Sequence, residues 1–219
     1  MKVLIPVLLV CMMAMSPASG EVITGKVTAP SRTKAKSSRA YSRGVFEPKL
    51  KTDTMATTPD DSLTIVVWAE PIGAEAPFVA PDEKPLMNQE NKQFIPDILV
   101  LQKGTTVGFP NLDPLYHNVF SYSKTKRFDL GRYPQGNSKE VTFNEEGVVE
   151  VFCEIHDHMH AYIVVVKTPY FTQADRSGNY TLKVPPGKYR LLVWTPNSQK
   201  IAGEVDLTEA AEVIRDVSF

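Results

Sequence analysis

The chain has 219 residues, with 24 Lys and Arg set against 25 Asp and Glu for a formal net charge of −1. That balance argues against nucleic acid as a partner, because binding to a phosphate backbone rests on an excess of positive charge. The length suits one sizeable domain or two small ones.

At the start, Lys2 is followed by an apolar run from Val3 to Met15 and then by Ser16-Pro17-Ala18-Ser19-Gly20. This pattern predicts a secretory leader over 1–20, removed after Gly20, and therefore a periplasmic or secreted protein of the bacterial envelope. A membrane anchor fits less well, because the run falls short of the about 20 residues a span requires. No other long apolar run suggests a span after cleavage, and bulky Val10 disfavours a lipoprotein signal through Cys11. The mature chain then keeps a single cysteine, Cys153. In an oxidising compartment a lone cysteine is a free thiol, an intermolecular bridge or a metal ligand.

Residues 22–28 are rich in β-branched side chains and predict a short strand. From Ala29 to about Asp61, basic residues (Arg32, Lys34, Lys36, Arg39, Arg43) alternate with Ser, Thr and Pro without periodicity, as in a flexible linker. Ser62–Ala69 resumes as a strand, and residues 70–92, with four prolines, read as a loop. Short strands then follow at 98–102, 105–109, 117–121, 140–143, 147–153 and 161–167, punctuated by Gly, Pro, Asn and Asp. Short strands at close spacing without helical periodicity predict an all-β sandwich or barrel. The tail alternates as Tyr180, Leu182, Val184, turns at Pro185-Pro186-Gly187-Lys188, and returns as a strand over 189–194. Some fifty residues are thin for a core of their own, so this piece must pack on the first unit or borrow the strand near 22–28. Trp68 and Trp194 fit core or inter-module packing. The resulting division is a leader at 1–20, a strand and basic linker at 21–61, a first β unit at 62–167 and a second at 168–219.

The chemistry concentrates in one place. Cys153, His156, His158, Met159 and His160 fall within eight residues, and His117 is the only other histidine. A thiolate and two imidazoles in a trigonal set, with a distant thioether, describe a blue-copper site. Cys153 supplies the soft thiolate, His117 and His156 suit both copper oxidation states, and Met159 stands as a weak axial donor. Zinc also takes Cys and His, but a structural zinc site rarely recruits methionine. Taken singly, Cys153 reads as a buried structural thiol and His117 as a satisfied strand-end histidine; the combination favours the metal. His158 and His160 are surface residues, a secondary metal site or a substitute ligand, with the surface reading favoured.

HNVFS at 117–121 and VTFNEEGVVEVFCEIHDHM at 141–159 resemble the paired motifs of the cupredoxin (blue copper) family. The ligand loop is nearest the amicyanin type, with plastocyanin and pseudoazurin next. The resemblance spans roughly 62–167. It implies a Greek-key β-sandwich holding one copper ion on His117, Cys153, His156 and Met159. It also implies that the side chain of Asn118 ties the two ligand loops together, its backbone amide near the Cys153 sulfur. GNYTLKVPPGKYRLLVW at 178–194 is similar to the transthyretin-like modules found beside carboxypeptidases, which are scaffolding β-sandwiches. Two positions depart from the family: Glu154 stands where Ser or Thr is common and Asp157 where Pro is common. Negative charge there favours Cu(II) and implies a lower reduction potential. The expected function is a single-electron carrier between redox proteins, not an enzyme. The alternative is a copper-holding or envelope scaffold protein without that role. No Ser-His-Asp arrangement or carboxylate pair supports a hydrolase.

Overall fold

The structure, a computed structural model, describes residues 20–28, 64–196 and 198–219. The expected leader, apart from Gly20, and the basic linker at 29–61 lie outside the described residues.

Every regular element among the described residues is a strand. β1 (Glu21–Thr28) and β2 (Val66–Pro71) precede a small hairpin of β3 (Asn88–Glu90) and β4 (Gln93–Ile95). There follow β5 (Ile98–Gln102), β6 (Thr105–Pro110), β7 (His117–Tyr122), β8 (Arg127–Tyr133) and β9 (Ser138–Phe143). β10 (Gly147–Phe152) and β11 (His160–Val166) complete the first unit. The tail holds β12 (Phe171–Gln173), β13 (Asn179–Val184), β14 (Lys188–Thr195) and β15 (Ser198–Asp206), and ends in β16 (Glu212–Ile214) and β17 (Val217–Ser218).

The strands stack as layers. A five-stranded sheet in the order β5-β11-β10-β7-β8 faces the β6-β9 pair and the β3-β4 hairpin. Consecutive pairs (β10-β11, β7-β8) alternate with non-consecutive ones (β5-β11, β7-β10), and β5 pairs parallel with β11, which is the Greek-key order of a cupredoxin-like sandwich. Against the other face of that sheet lies a four-stranded sheet, β12-β2-β14-β15, and beyond it the sheet β13-β1-β16 with β17 beside β1.

The period of two along the strands explains the stacking. In β11, Ala161, Ile163 and Val165 point into the sandwich, whereas Tyr162, Val164 and Val166 point into the junction with the second module. In β14, Tyr189, Leu191 and Val193 enter the outer core while Leu192 and Trp194 enter the junction. Strands buried on both faces read as unbroken apolar runs, as IVVV at 163–166 and LLVW at 191–194 do. Each such side chain contributes on the order of 1.5–3 kcal/mol by leaving water.

Three readings of the sequence need correction. The strand expected at Ser62–Ala69 belongs on the sequence reading to the first unit, but it runs as Val66–Pro71 and hydrogen-bonds between β12 and β14 in the second. Its junction face, Val66 and Trp68, is as apolar as a sandwich strand, so composition did not reveal which sheet it joins. Residues 88–90, expected within a loop, pair with 93–95 across a turn at Asn91-Lys92. Both turn residues have positive φ, 54° and 55°, the geometry of a tight hairpin that Asn tolerates and Lys rarely signals. No strand is expected at 127–133, yet β8 lies there as an edge strand with mostly exposed or half-exposed side chains and an apolar alternation limited to Phe128 and Leu130. The second unit draws on β1, whose residues 21–26 pair with β13 and whose other side meets β16. A Cβ at Gly25 would run into the Arg215 carbonyl, so only glycine allows that close fit.

Trp194 packs edge-on against Tyr162, with ring centroids 5.3 Å apart, and is 5% exposed. Trp194→Ala is expected to cost about 3–5 kcal/mol, read as a lower denaturant midpoint. An unchanged midpoint would show that the junction adds nothing to stability.

Candidate metal centre

His117 opens β7 after a loop built around a fully buried Asn111. The Asn111 amide donates to the carbonyls of Leu115 (2.8 Å) and Tyr133 (3.0 Å), and its oxygen accepts the Asp113 N–H at 3.0 Å. This folds the loop so that the Asp113 carboxylate sits behind the imidazole. Cys153 follows the last residue of β10, and the chain turns at once. Met159 N–H donates to the His156 carbonyl at 3.0 Å before β11 begins at His160.

The result is a donor cluster. The ligand atoms of His117, Cys153 and His156 all lie within 4.8 Å of one another. His117 Nδ1 is 3.8 Å from Cys153 Sγ and 3.0 Å from His156 Nδ1. A transition ion that takes nitrogen at about 2.0 Å and thiolate at about 2.3 Å, the zinc values, spans separations of this size. Exposure is 0% for His117, 4% for Cys153 and 1% for Met159, while His156 is half-buried. Cys153 is a free thiol. Two imidazoles and one thiol, with a buried thioether in the same turn, are a donor set that fits copper.

Asp113 fixes which nitrogen is available. Its Oδ2 lies 2.8 Å from His117 Nε2, and a carboxylate only accepts, so Nε2 carries the proton and Nδ1 presents its lone pair to the cluster. Burial opposes the charge on Asp113. Hydrogen bonds donated by the Lys92 amide, His117 and the Asn91 amide outweigh it and hold the carboxyl below its ordinary 3.8. Both amides belong to the β3-β4 turn, 2.6 Å and 2.8 Å from the carboxylate oxygens. For His156, burial first and then the neighbouring His117, Lys92 and His158 lower the pKa, which favours the neutral, ligating form. Below the cluster, the Tyr133 hydroxyl donates to the Phe109 carbonyl at 2.8 Å and accepts from Gln89 Nε2 at 2.6 Å. Burial pushes this phenol up, out of reach of ionisation.

The structure thus brings His117, Cys153 and His156 together and buries Met159 on the same turn. Asn118, 1% exposed, accepts the Glu154 N–H at 2.8 Å and so joins the loop after Cys153 to β7. His158 and His160 stand apart. His158 Nδ1 is 3.7 Å from the exposed Asp157, and His160 Nε2 is 3.2 Å from Glu150 on the outer face of the sheet. Neither joins the three-donor cluster. The negative charge of Glu154 is matched by Arg132 at 2.7 Å. Sequence reading missed Asp113, although its place four residues before His117, in a tight Asn-Leu-Asp-Pro loop, was a signal.

No family model matches the chain, and no curated protein does. Among solved structures, a copper-containing nitrite reductase from Thermus scotoductus aligns at 23% identity and a TM-score of 0.37, over 44% of this chain. The aligned region spans only 25% of that enzyme's length. Amicyanin from Paracoccus versutus aligns at 22% identity, over 40% of this chain and 85% of its own, with a TM-score of 0.37. A purple cupredoxin from Nitrosopumilus maritimus aligns at 29% identity, over 35% and 84%, with a TM-score of 0.32.

Asp113 yields a prediction with a sign. Its folded pKa is depressed, so the stability it contributes is present above 3.8 and lost as pH falls through the folded value. Asp113→Asn turns an amide donor toward groups that already donate, and is expected to cost about 1–3 kcal/mol at neutral pH. Denaturant midpoints measured from pH 7 to pH 2 should start lower in the variant and fall less steeply in acid. Parallel curves for the two proteins would refute the role.

Proposed function

We propose that the chain is an exported type 1 copper protein that carries single electrons between redox partners and is not itself an enzyme. The observation that carries this reading is the convergence of Cys153 Sγ with the Nδ1 atoms of His117 and His156 at one end of a rigid sandwich. Copper would be held by these three atoms, with Met159 as the weak axial donor. The ion supplies a reversible one-electron couple. Asp113 orients His117, the Asn118–Glu154 bond ties the two ligand-bearing segments, and the buried walls exclude water from the thiolate. His156 alone of the four is half-exposed, so an electron can pass to a partner through its ring. On this reading the second β unit is a scaffolding module of transthyretin-like type, and the leader directs the protein to the periplasm or beyond.

Adding one equivalent of Cu(II) to the purified mature protein should produce an intense thiolate charge-transfer band. Cys153→Ser should abolish it, since a hydroxyl cannot replace the covalent thiolate donor. Met159→Gln should keep a coloured centre at lower potential, because a harder oxygen donor favours Cu(II). A folded protein with reduced Cys153 that stays colourless would sink the carrier reading and leave a copper-holding or envelope scaffold role.

Replacing His158 and His160 together by Ala should leave the band unchanged, because neither reaches the cluster. Loss of the band would make one of them a ligand.

A further inference from the structure

The edge strand β5 borders a recess that the metal centre does not use. A parallel ladder turns alternate residues of a strand toward its partner. Here the Tyr162 N–H donates to the Asp97 carbonyl and the Lys103 N–H to the Val166 carbonyl, both at 2.8 Å. Ile98, Val100 and Gln102 therefore turn their backbone groups away from β11. The Ile98 carbonyl accepts from Gln173 Nε2 at 3.3 Å. The N–H and C=O of Val100 have no hydrogen-bond partner among the described residues. A strand edge in that state is a template for another strand.

Val100 lines a recess of about 280 Å³ between β5 and the segment 79–85. The walls are mostly apolar, with Pro81 and Pro85 on one side and Leu101 and Phe171 on the other. Thr105 also lines it, is only 4% exposed, and its hydroxyl has no hydrogen-bond partner among the described residues. One charge stands in the wall, the exposed carboxylate of Asp82, which is in no ion pair among the described residues. The neighbouring cations are turned elsewhere. Lys84 holds Glu140 at 2.6 Å, and Lys103 lines a separate recess with Glu70 and Glu75. The Gln102 amide is fully engaged, accepting the Val79 N–H at 3.0 Å and donating to the Pro77 and Lys167 carbonyls at 2.8 and 3.1 Å. It holds the segment at its distance from the strand and leaves the space beside Val100 open.

We propose that this recess receives an extended segment of a partner protein, in which an apolar residue is flanked by lysine or arginine. The incoming backbone lies beside β5 and exchanges N–H···O=C bonds with Val100, as in strand addition. Its apolar side chain fills the space between Pro85 and Phe171, its cation meets Asp82, and the Thr105 hydroxyl bonds one of its polar atoms. A peptide supplies both a donor and an acceptor at the spacing of the Val100 pair, and the single carboxylate selects for positive charge. In the sheet, β11 and β10 separate β5 from β7, which carries His117. The inference is therefore independent of the carrier reading and needs no metal.

The test uses the metal-free full chain and the capped tripeptide acetyl-Lys-Val-Lys-amide. Titration should shift the Val100 and Thr105 amide resonances saturably and slow hydrogen exchange at the Val100 N–H by about ten-fold or more. N-methylation of the peptide's valine, which removes the donor to Val100, should weaken binding about ten-fold. The charge-reversed acetyl-Glu-Val-Glu-amide should bind at least about ten-fold more weakly at low salt, and Asp82→Asn should erase that preference. Thr105→Val should weaken binding of the lysine peptide with the Asp82 preference retained. Equal affinity for the N-methylated or the glutamate peptide, or no saturable shift at 98–105, would overturn the inference. So would a Val100 N–H that exchanges slowly without peptide. Slow exchange at every protein concentration would assign the recess to this chain's own residues, and slow exchange only alongside a dimer in sedimentation would assign it to a second copy.

Discussion

The β5-β11 side of the five-stranded sheet is buried on both faces, and much of the molecule follows from that. A sheet with one wet face would need polar residues at every second position of β11. Instead Ala161, Ile163 and Val165 serve one core and Tyr162, Val164 and Val166 another. The second module is thus not a pendant domain on a linker. It supplies the solvent-excluding cover for half of a sheet whose other half holds the donor cluster. Its own weakness, too few residues for a core, is met by β1 and β2, which arrive from the far side of the sequence.

A second constraint operates at the cluster. Three donor groups that all favour a cation are gathered where water is scarce, and something must hold them in the ligating state. Burial lowers the pKa of His156, and the ionised Asp113 fixes the tautomer of His117. Asp113 remains ionised despite burial because the β3-β4 turn offers it two backbone amides. A short hairpin remote from the ligand loop in sequence therefore sets the chemistry of a metal ligand through one carboxylate. A lone buried charge would be costly; a charge accepting three hydrogen bonds is not.

How much of this was legible in the sequence depended on where the signal lay. Strands with an apolar alternation or an apolar run, such as 98–102, 147–153 and 189–194, were found within a residue or two of their ends. β8 was not: Arg127, Asp129, Gly131 and Arg132 leave only Phe128 and Leu130 as an apolar alternation, too short to signal a strand. The donor set was legible because Cys, His and Met are chemically distinctive and three of the four share one turn. Asp113 and the Asn91-Lys92 turn were not, because an acid near a proline in a loop is ordinary until its three-dimensional partners are known. The pairing of Val66–Pro71 was hidden for a different reason: an apolar strand fits any sheet, and only tertiary contact decides which.

The position of the cluster at the end of β10 has its own logic. Along β10 and β11 the ladder is continuous from Gly147 to Phe152, but β10 meets β7 in register only at Phe152 and Phe120. Just past that pair the two backbones part, and β7 carries an irregularity between Asn118 and Phe120. Side chains inside a regular ladder stand parallel and cannot converge on a point; where strands separate, they can. The gap has a cost, since the Glu154 amide loses a strand partner, and Asn118 supplies the replacement with its side-chain oxygen. The same side chain that satisfies the backbone thus sets the spacing between His117 on one segment and Cys153 on the other. Hydrogen bonds of the fold itself, between Asp113 and His117 and between Asn118 and the Glu154 amide, thus set where the donors stand, which is the condition for a centre whose geometry changes little when its charge does.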